Sequence, residues 1–267
     1  LHKAIRRQRQ MCIRDRLSSC GSVPLTGRKQ VLLVSDQEVL SSSLTQYSDY
    51  MKSAKKSSSK DGAAMVTRVG KKIAAATEQY LRNNGLESEI KNFAWEFNLV
   101  NDPQVNAFCM PGGKIVVYEG LMQLVSSDDE LAVVVGHEVA HAVAKHSNER
   151  MSQQLMAQYG AQILGQALSN KSAAVQKIGA SVYGLGAQYG VMLPFSRKHE
   201  SEADYMGLVF MAMAGYNPAV AVNFWQKMSA GKSGSTPEFM STHPSDATRI
   251  NEIKQHLPEI EKYRVKK

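Results

Sequence analysis

Within VVVGHEVAHAVAKH, residues 133–146, His137 and His141 stand four apart and Glu138 directly follows the first histidine. An α-helix turns about 100° per residue, so two imidazoles at this spacing are offset by only about 40° and can reach one ion from one face. Glu138 lies about a quarter-turn away, where a carboxylate flanks a metal rather than binding it and can take a proton from water. The spacing therefore predicts a zinc site with a general base beside it. HExxH also arises by chance in roughly one chain of this composition in a hundred, the usual risk of a short motif. The competing reading, a helix that happens to carry histidines, leaves two unpaired imidazoles in an apolar Val/Ala run at a desolvation cost.

Catalytic zinc takes three protein ligands and keeps one position open for water, so a third ligand is required. The metzincin pattern asks for glycine at 144 and histidine at 147, where the chain has Ala144 and Ser147. His146 is one position short, falls on the opposite side of a continued helix and is expected at the surface. Thermolysin-like gluzincins place a glutamate about nineteen residues beyond the second histidine, where Gly160 stands. Downstream, HESEAD carries Glu200 and Asp204 on one helical face, with Ala203 beside them where two helices could approach closely. Acids at a helix start are commonly a solvated first turn. The combination singles these out: HEVAH, then 58 intervening residues, then ESEAD.

HExxH followed by ExxxD, over about Asn101 to Ile250, resembles the zinc metalloprotease family that includes the heat-shock protease HtpX, the CAAX prenyl protease and the periplasmic protease and assembly factor BepA. The resemblance implies one Zn2+ per chain, with Glu200 as third ligand beside His137 and His141, and Asp204 orienting a ligand histidine. Glu202, on another face, is not carried over. NAFCMPGGKIVVYEGLM resembles the family's strand pair ahead of the catalytic helix. Its edge, with Asn106 and Ala107 along it, would take a polypeptide substrate as an added strand. STHPSDATRI resembles the late His-Pro segment, which implies His243 beside the metal, either stabilising the oxyanion or capping zinc at rest, and Arg249 anchoring the loop. An ordinary hairpin and a lone His-Pro pair account for these two stretches as well.

The activity so implied is zinc-dependent hydrolysis of peptide bonds in envelope proteins that are misfolded or unassembled. The alternative is a metal-holding periplasmic chaperone or assembly factor with little proteolysis; an intact Glu138 favours the enzyme. Integral-membrane members of the family carry spanning helices, whereas no run of 18 uninterrupted apolar residues occurs here. The expectation therefore moves to the soluble, envelope-facing branch.

The elements that must hold the site follow from pattern. Asp61 is placed to cap a helix with apolar positions Met65, Val69, Ile73 and Tyr80, closed by Asn83, Asn84 and Gly85. Phe93, Trp95, Phe97 and Leu99 alternate with other residues at strand spacing. Pro111, Gly112 and Gly113 join VNAFCM to KIVVYEG as a hairpin through a type II turn. Ser126 and Ser127 before Asp128, Asp129 and Glu130 form a capping-box pattern, predicting a long helix to about residue 158 with HEVAH in its middle. Residues 153–193 read as helical segments interrupted by Gly160, Gly165 and later glycines. A helix restarts at Ser196 and stops at Gly215, Asn217 and Pro218 open another, and Ser245 caps a last one. The predicted fold class is α+β, mostly helical, with a small antiparallel sheet or hairpin packed on the long active-site helix. Residues 61–267 are expected to form one metalloprotease domain.

The 267 residues are 43% hydrophobic and 21% charged, enough for a well-buried core. Of the formal net charge of +8, residues 1–29 supply +7 through eight basic side chains against Asp15. The body is nearly neutral, which argues against a nucleic-acid partner. LSSC at 17–20, followed by Gly21, has the form of a lipoprotein cleavage box whose cysteine, Cys20, becomes lipidated. Such a box follows an apolar segment. Here it follows LHKAIRRQRQMCIRDR, which is arginine-rich and begins at Leu, so residues 1–16 are expected not to be the native leader. A lipidated Cys20 and an ordinary thiol both stay open. If it is lipidated, Gly21 gives no aspartate-type retention signal, and the expected location is the outer membrane facing the periplasm, with membrane contact through that anchor alone. Residues 1–60 then comprise leader, box and a polar linker ending in MKSAKKSSSK. Cys12, Cys20 and Cys109 imply no disulfide framework.

Overall fold

The computed structural model describes residues 20–169, 193–230, 239, 243 and 247–265. Residues 1–19, with the first three residues of the LSSC box, the glycine-rich stretch 170–192 and Ser245 lie outside the described residues. In chain order the elements are β1 (Cys20–Ser22), β2 (Lys29–Val31), α1 (Asp36–Ser53), α2 (Lys60–Asn83), a single turn α3 (Glu87–Ile90), β3 (Glu96–Val100), β4 (Ala107–Met110) and β5 (Lys114–Tyr118). They continue with a turn α4 (Glu119–Met122), α5 (Asp128–Val143), α6 (His146–Leu168), α7 (Leu193–Met213), α8 (Val220–Ala230) and α9 (Ala247–Ile260). The chain divides into two compact units, residues 1–39 with 145–195, and 40–144 with 196–267. The predicted mainly helical α+β class holds.

In the second unit the sheet has the order β3-β5-β4. The hairpin is present: β4 and β5 are antiparallel with Ala107 opposite Val117, and the Gly113 N–H donates to the Met110 carbonyl across a turn in which Gly112 has φ +93°. Pro111 and Gly112 thus occupy the positions that a type II turn assigns to them. The sheet is mixed rather than antiparallel, because β3 runs parallel to β5 with Glu96 opposite Lys114. β5 is buried along its whole length, as a central strand covered on both faces requires. On one side Tyr47 of α1 packs with Val100, Val116 and Tyr118. MKSAKKSSSK is not a free linker: it begins inside α1, and its backbone then pairs with β3 through Ser57 N–H to Leu99 O and Asn101 N–H to Lys55 O. Its serines are used as well, since Ser57 Oγ donates to Glu119 Oε1.

α2 is capped by Ser59, whose Oγ accepts from Gly62 N–H, two residues before the expected Asp61, which instead sits in the first turn. Val69, Ile73 and Tyr80 are buried as their spacing predicts. α5 starts on the expected cap, with Ser127 Oγ accepting from Glu130 N–H and Glu130 Oε2 accepting from Ser126 N–H. From Leu131 to Ala140 every residue is buried, so α5 is a core helix. α7 ends at Gly215, φ +83°, with Tyr216 N–H bonded to Met211 O, a Schellman closure. Two glycines face each other where α5 and α7 cross. A Cβ on Gly136 would lie 2.8 Å from Gly207 O, and one on Gly207 would lie 2.7 Å from His137 N. The expected close approach exists, one turn beyond Ala203.

The predicted long helix is two helices. Ala144 N–H closes α5 on Ala140 O, and Lys145 takes a left-handed φ of 57°. In the first unit α6 buries a polar stripe rather than an apolar one: His146, Asn148, Glu149, Ser152 and Gln153. Arg28 donates to both oxygens of Glu149 at 2.8 and 2.7 Å, Ser152 Oγ accepts from Leu33 N–H, and Asn148 donates to Val34 O. His146 is therefore buried, at 3% exposure, and not at the surface. α6 also runs through Gly160 and Gly165, because a helix tolerates a glycine at about 1 kcal/mol.

Helix propensity alone would make Gly207→Ala stabilising by about 1 kcal/mol. Because the added methyl meets backbone atoms of α5, we expect a net loss of about 1–3 kcal/mol and weaker metal binding. Denaturant unfolding and metal titration of the variant check this, and a more stable protein would remove the glycine contact from the account.

Candidate metal centre

α5 sets His137 and His141 one turn apart with their Nε2 atoms 3.0 Å from each other. α7 brings Glu200 against both, Oε2 at 3.2 Å from His137 Nε2 and Oε1 at 3.3 Å from His141 Nε2. His243 Nδ1 adds a fourth donor, 3.3 Å from His137 Nε2 and 3.0 Å from Glu200 Oε2. Ligand atoms held about 2.0–2.1 Å from a tetrahedral ion lie about 3.3 Å apart. The separations around His137, His141 and Glu200 match that figure, and all four donor atoms lie within 4.8 Å of one another. These residues could hold a divalent metal ion.

Behind the donors lies a relay of charge. Asp204 Oδ1 is 3.0 Å from His137 Nδ1, an arrangement in which the imidazole N–H donates to the carboxylate and leaves Nε2 free to ligate. Arg249 of α9 holds the same carboxylate by both oxygens, through Nε to Oδ2 and Nη2 to Oδ1. Its Nη1 also donates to the His243 carbonyl and pairs with Glu200 Oε2 at 3.3 Å, so Arg249 serves both the main chain at 243, where the resemblance implied an anchor, and the carboxylates. Its guanidinium lies over Trp225, 4.9 Å from the ring centroid. Phe239 stacks on His243 with ring centroids 4.6 Å apart.

Electrostatics follow this layout. Burial opposes charge on His137, but its hydrogen bonds with Asp204 and Glu200 prevail and push its pKa to about 9. Burial likewise opposes ionisation of Glu200 and Asp204. The three imidazoles around Glu200 nevertheless hold it well below the usual carboxylate range, and the Arg249 beside Asp204 lowers that carboxyl too. Glu138 moves the other way: burial raises it, and His243 and His137 only partly counter that. Glu138 Oε2 accepts from Cys109 N–H at 3.3 Å, while Oε1 has no hydrogen-bond partner among the described residues and faces His243 Nε2 at 3.5 Å. A buried carboxylate oxygen left without a donor is the atom expected to meet a ligand or water.

Of the residues singled out in the sequence, His137, Glu138, His141, Glu200, Asp204 and His243 converge here. Asn106 and Ala107 lie on β4, the outer strand of the sheet, or at its start. Cys20 begins β1, paired with Val31, in the other unit. Sequence reasoning missed Trp225 and Phe239, which back His137 and His243, the Cys109 amide, and the Gly136–Gly207 contact. The last had a signal, since a glycine in a helix interior weakens it and calls for a packing reason.

Residues 67–257 match the family described as Peptidase family M48. The mitochondrial metalloendopeptidase OMA1 of Schizosaccharomyces pombe is 36% identical over 205 residues, 73% of this chain and 53% of that protein. The human metalloendopeptidase OMA1, mitochondrial, is 27% identical over 254 residues, 90% of this chain and 46% of that protein. The beta-barrel assembly-enhancing protease of Yersinia pestis is 33% identical over 174 residues, 61% of this chain and 36% of that protein. The chain spans about half the length of these relatives or less.

Asp204→Ala removes the carboxylate that fixes the His137 ring. Metal affinity should fall about 10- to 100-fold, as read by competition with a chromophoric chelator; unchanged affinity would deny Asp204 its orienting role.

Proposed function

The chain belongs to peptidase family M48, and from that membership and the geometry of the metal centre we propose that it is a zinc-dependent endopeptidase. One observation carries the proposal: the Nε2 atoms of His137 and His141 converge with the Glu200 carboxylate beside a buried Glu138 whose Oε1 has no hydrogen-bond partner among the described residues. Two imidazole nitrogens and a carboxylate oxygen are a donor set that suits catalytic zinc. When bound, zinc supplies Lewis acidity, lowering the pKa of its water towards 7 and polarising a carbonyl.

The chain's own residues supply the remaining steps. Glu138, its pKa raised chiefly by burial, is a stronger base than a free carboxylate. Its Oε1 accepts the proton of the attacking water and returns it to the leaving amine. Asp204 keeps His137 in one tautomer, and Arg249 keeps Asp204 ionised. An extended polypeptide docks as an added strand along β4, past Asn106 and Ala107. This is supported by the place of β4 at the sheet edge and by the reach of Cys109, on the same strand, to Glu138. Recognition through main-chain groups suits unfolded chains of varied sequence, so the substrates proposed are misfolded or unassembled envelope proteins.

A second reading is a metal-holding chaperone or assembly factor that seldom cuts. The position of His243 favours it, because Nδ1 stands within the donor set and so caps the site in this conformation. The placement proposed is the bacterial envelope on the periplasmic side, with Cys20 lipidated. The LSSC-Gly21 box and the likeness to beta-barrel assembly-enhancing proteases support that placement, while the OMA1 likeness supports a mitochondrial one. No helix among the described residues is long and apolar enough to cross a membrane.

Digestion of casein or of an unfolded outer-membrane protein, with and without phenanthroline, decides between enzyme and chaperone: cleavage abolished by the chelator is expected. Glu138→Gln should keep its zinc and lose at least about a hundredfold in rate; full activity at unchanged zinc content would end the assigned role. Mass spectrometry of the protein made with a native lipoprotein leader should find acyl groups on Cys20, and an unmodified thiol there would refute the anchor.

A further inference from the structure

Three buried carboxylates meet at the centre, and two of them are held by ionic partners: Glu200 by imidazoles and Arg249, Asp204 by Arg249 and His137. Glu138 is held more loosely: His243 Nε2 stands 3.5 Å from Oε1, and among the described residues its one hydrogen bond comes from the Cys109 main chain, 3.3 Å from N to Oε2.

The ladder explains why that amide is available. Tyr118 N–H donates to Asn106 O, and in an antiparallel pair the bonded residues alternate. Asn106, Phe108 and Met110 therefore turn their main-chain groups to β5, while the N–H groups of Ala107 and Cys109 point away from it. Ala107 N–H is taken by the Asn106 side chain at 2.9 Å, and Cys109 N–H goes to Glu138. The thiol plays a different part. It is buried, lies 3.6 Å from Met110 O, and is kept protonated by burial and then by the charge of Glu138, which unfits it as a nucleophile.

We propose that Cys109 is a positioning residue acting through its main-chain amide, which clamps Glu138 by Oε2 and leaves Oε1 for the proton. The inference rests on the peptidase reading of Glu138. Its content is that the strand offered to the substrate also fixes the base, so one backbone segment sets both the substrate register and the place where the proton is taken.

Two substitutions in the zinc-loaded full chain separate amide from thiol. Cys109→Ala keeps the N–H and should lose far less in kcat than a variant that lacks it. Cys109→Pro removes it at an edge position whose donor lies outside the ladder, where proline is tolerated. It should lose about 10- to 100-fold in kcat, the scale of a misplaced catalytic group, with KM within about twofold and zinc stoichiometric. If the proline variant does not fold, the α-hydroxy analogue of alanine at position 109 deletes the same N–H as an ester. A measurement that needs no turnover is hydrogen exchange at the Cys109 amide in metal-free protein, expected to be at least about tenfold faster in Glu138→Ala. Parental kcat in the proline or ester variant, an equal loss in Cys109→Ala, or equal exchange rates would each overturn the proposal. If the parent shows no zinc-dependent cleavage, it is the peptidase reading that has failed, and the exchange rates still decide whether Glu138 holds this amide.

Discussion

Burying ionised carboxylates is the constraint on which the rest of this protein depends. Glu200 and Asp204 are 2% and 4% exposed, and an uncompensated buried charge costs several kcal/mol. The compensation comes from four other elements or segments: two imidazoles on α5, one from the loop at 243, a guanidinium on α9, and the Trp225 ring on α8 beneath it. With Glu138 included, three carboxylates stand against one permanent cation, Arg249. A dication would balance the remainder, and the high proton affinity of His137 reflects the same deficit. The site is therefore as much a charge-balance problem in the core as a set of ligands.

Such a balance works only if the groups stay within tenths of an ångström, and the backbone supplies that precision. α5 is buried on all sides from Leu131 to Ala140 and has no freedom to slide. α7 meets it main chain to main chain at Gly136 and Gly207, so the distance from the histidines to Glu200 and Asp204 is set by glycine contact rather than by adjustable side chains. The glycine that precedes His137 is thus part of the metal site without touching a ligand atom.

What could be read from sequence is what local geometry fixes. Helix periodicity alone places His137 with His141 and Glu200 with Asp204, the serine cap starts α5, and Pro111-Gly112 turns the hairpin. What could not be read depends on partners far along the chain. Nothing in residues 96–100 states that they run parallel to 114–118, and the break at Lys145 appears only once α6 is seen to bury His146 and to pair Asn148 and Glu149 with Val34 and Arg28. The polar composition of that stripe reads as solvent-facing because the matching donors lie over a hundred residues earlier. The Cys109 amide is invisible for a deeper reason: every non-proline residue has an N–H, so residue identity carries no trace of which one is used.

Ordinary sheet edges are defended by lysine, proline or a bulge, because an undefended edge invites neighbouring molecules to stack on it. β4 has none of these defences: Ala107, Phe108, Cys109 and Met110 are neither charged nor kinked. Its protection is recess, since Ala107 and Cys109 are almost fully shielded. Under the strand-addition reading proposed above, such a recess would act as a sieve. It would refuse the stiff, thick border of another folded sheet and admit a lone slack strand, so that resistance to clumping and a taste for denatured guests would share a single steric origin.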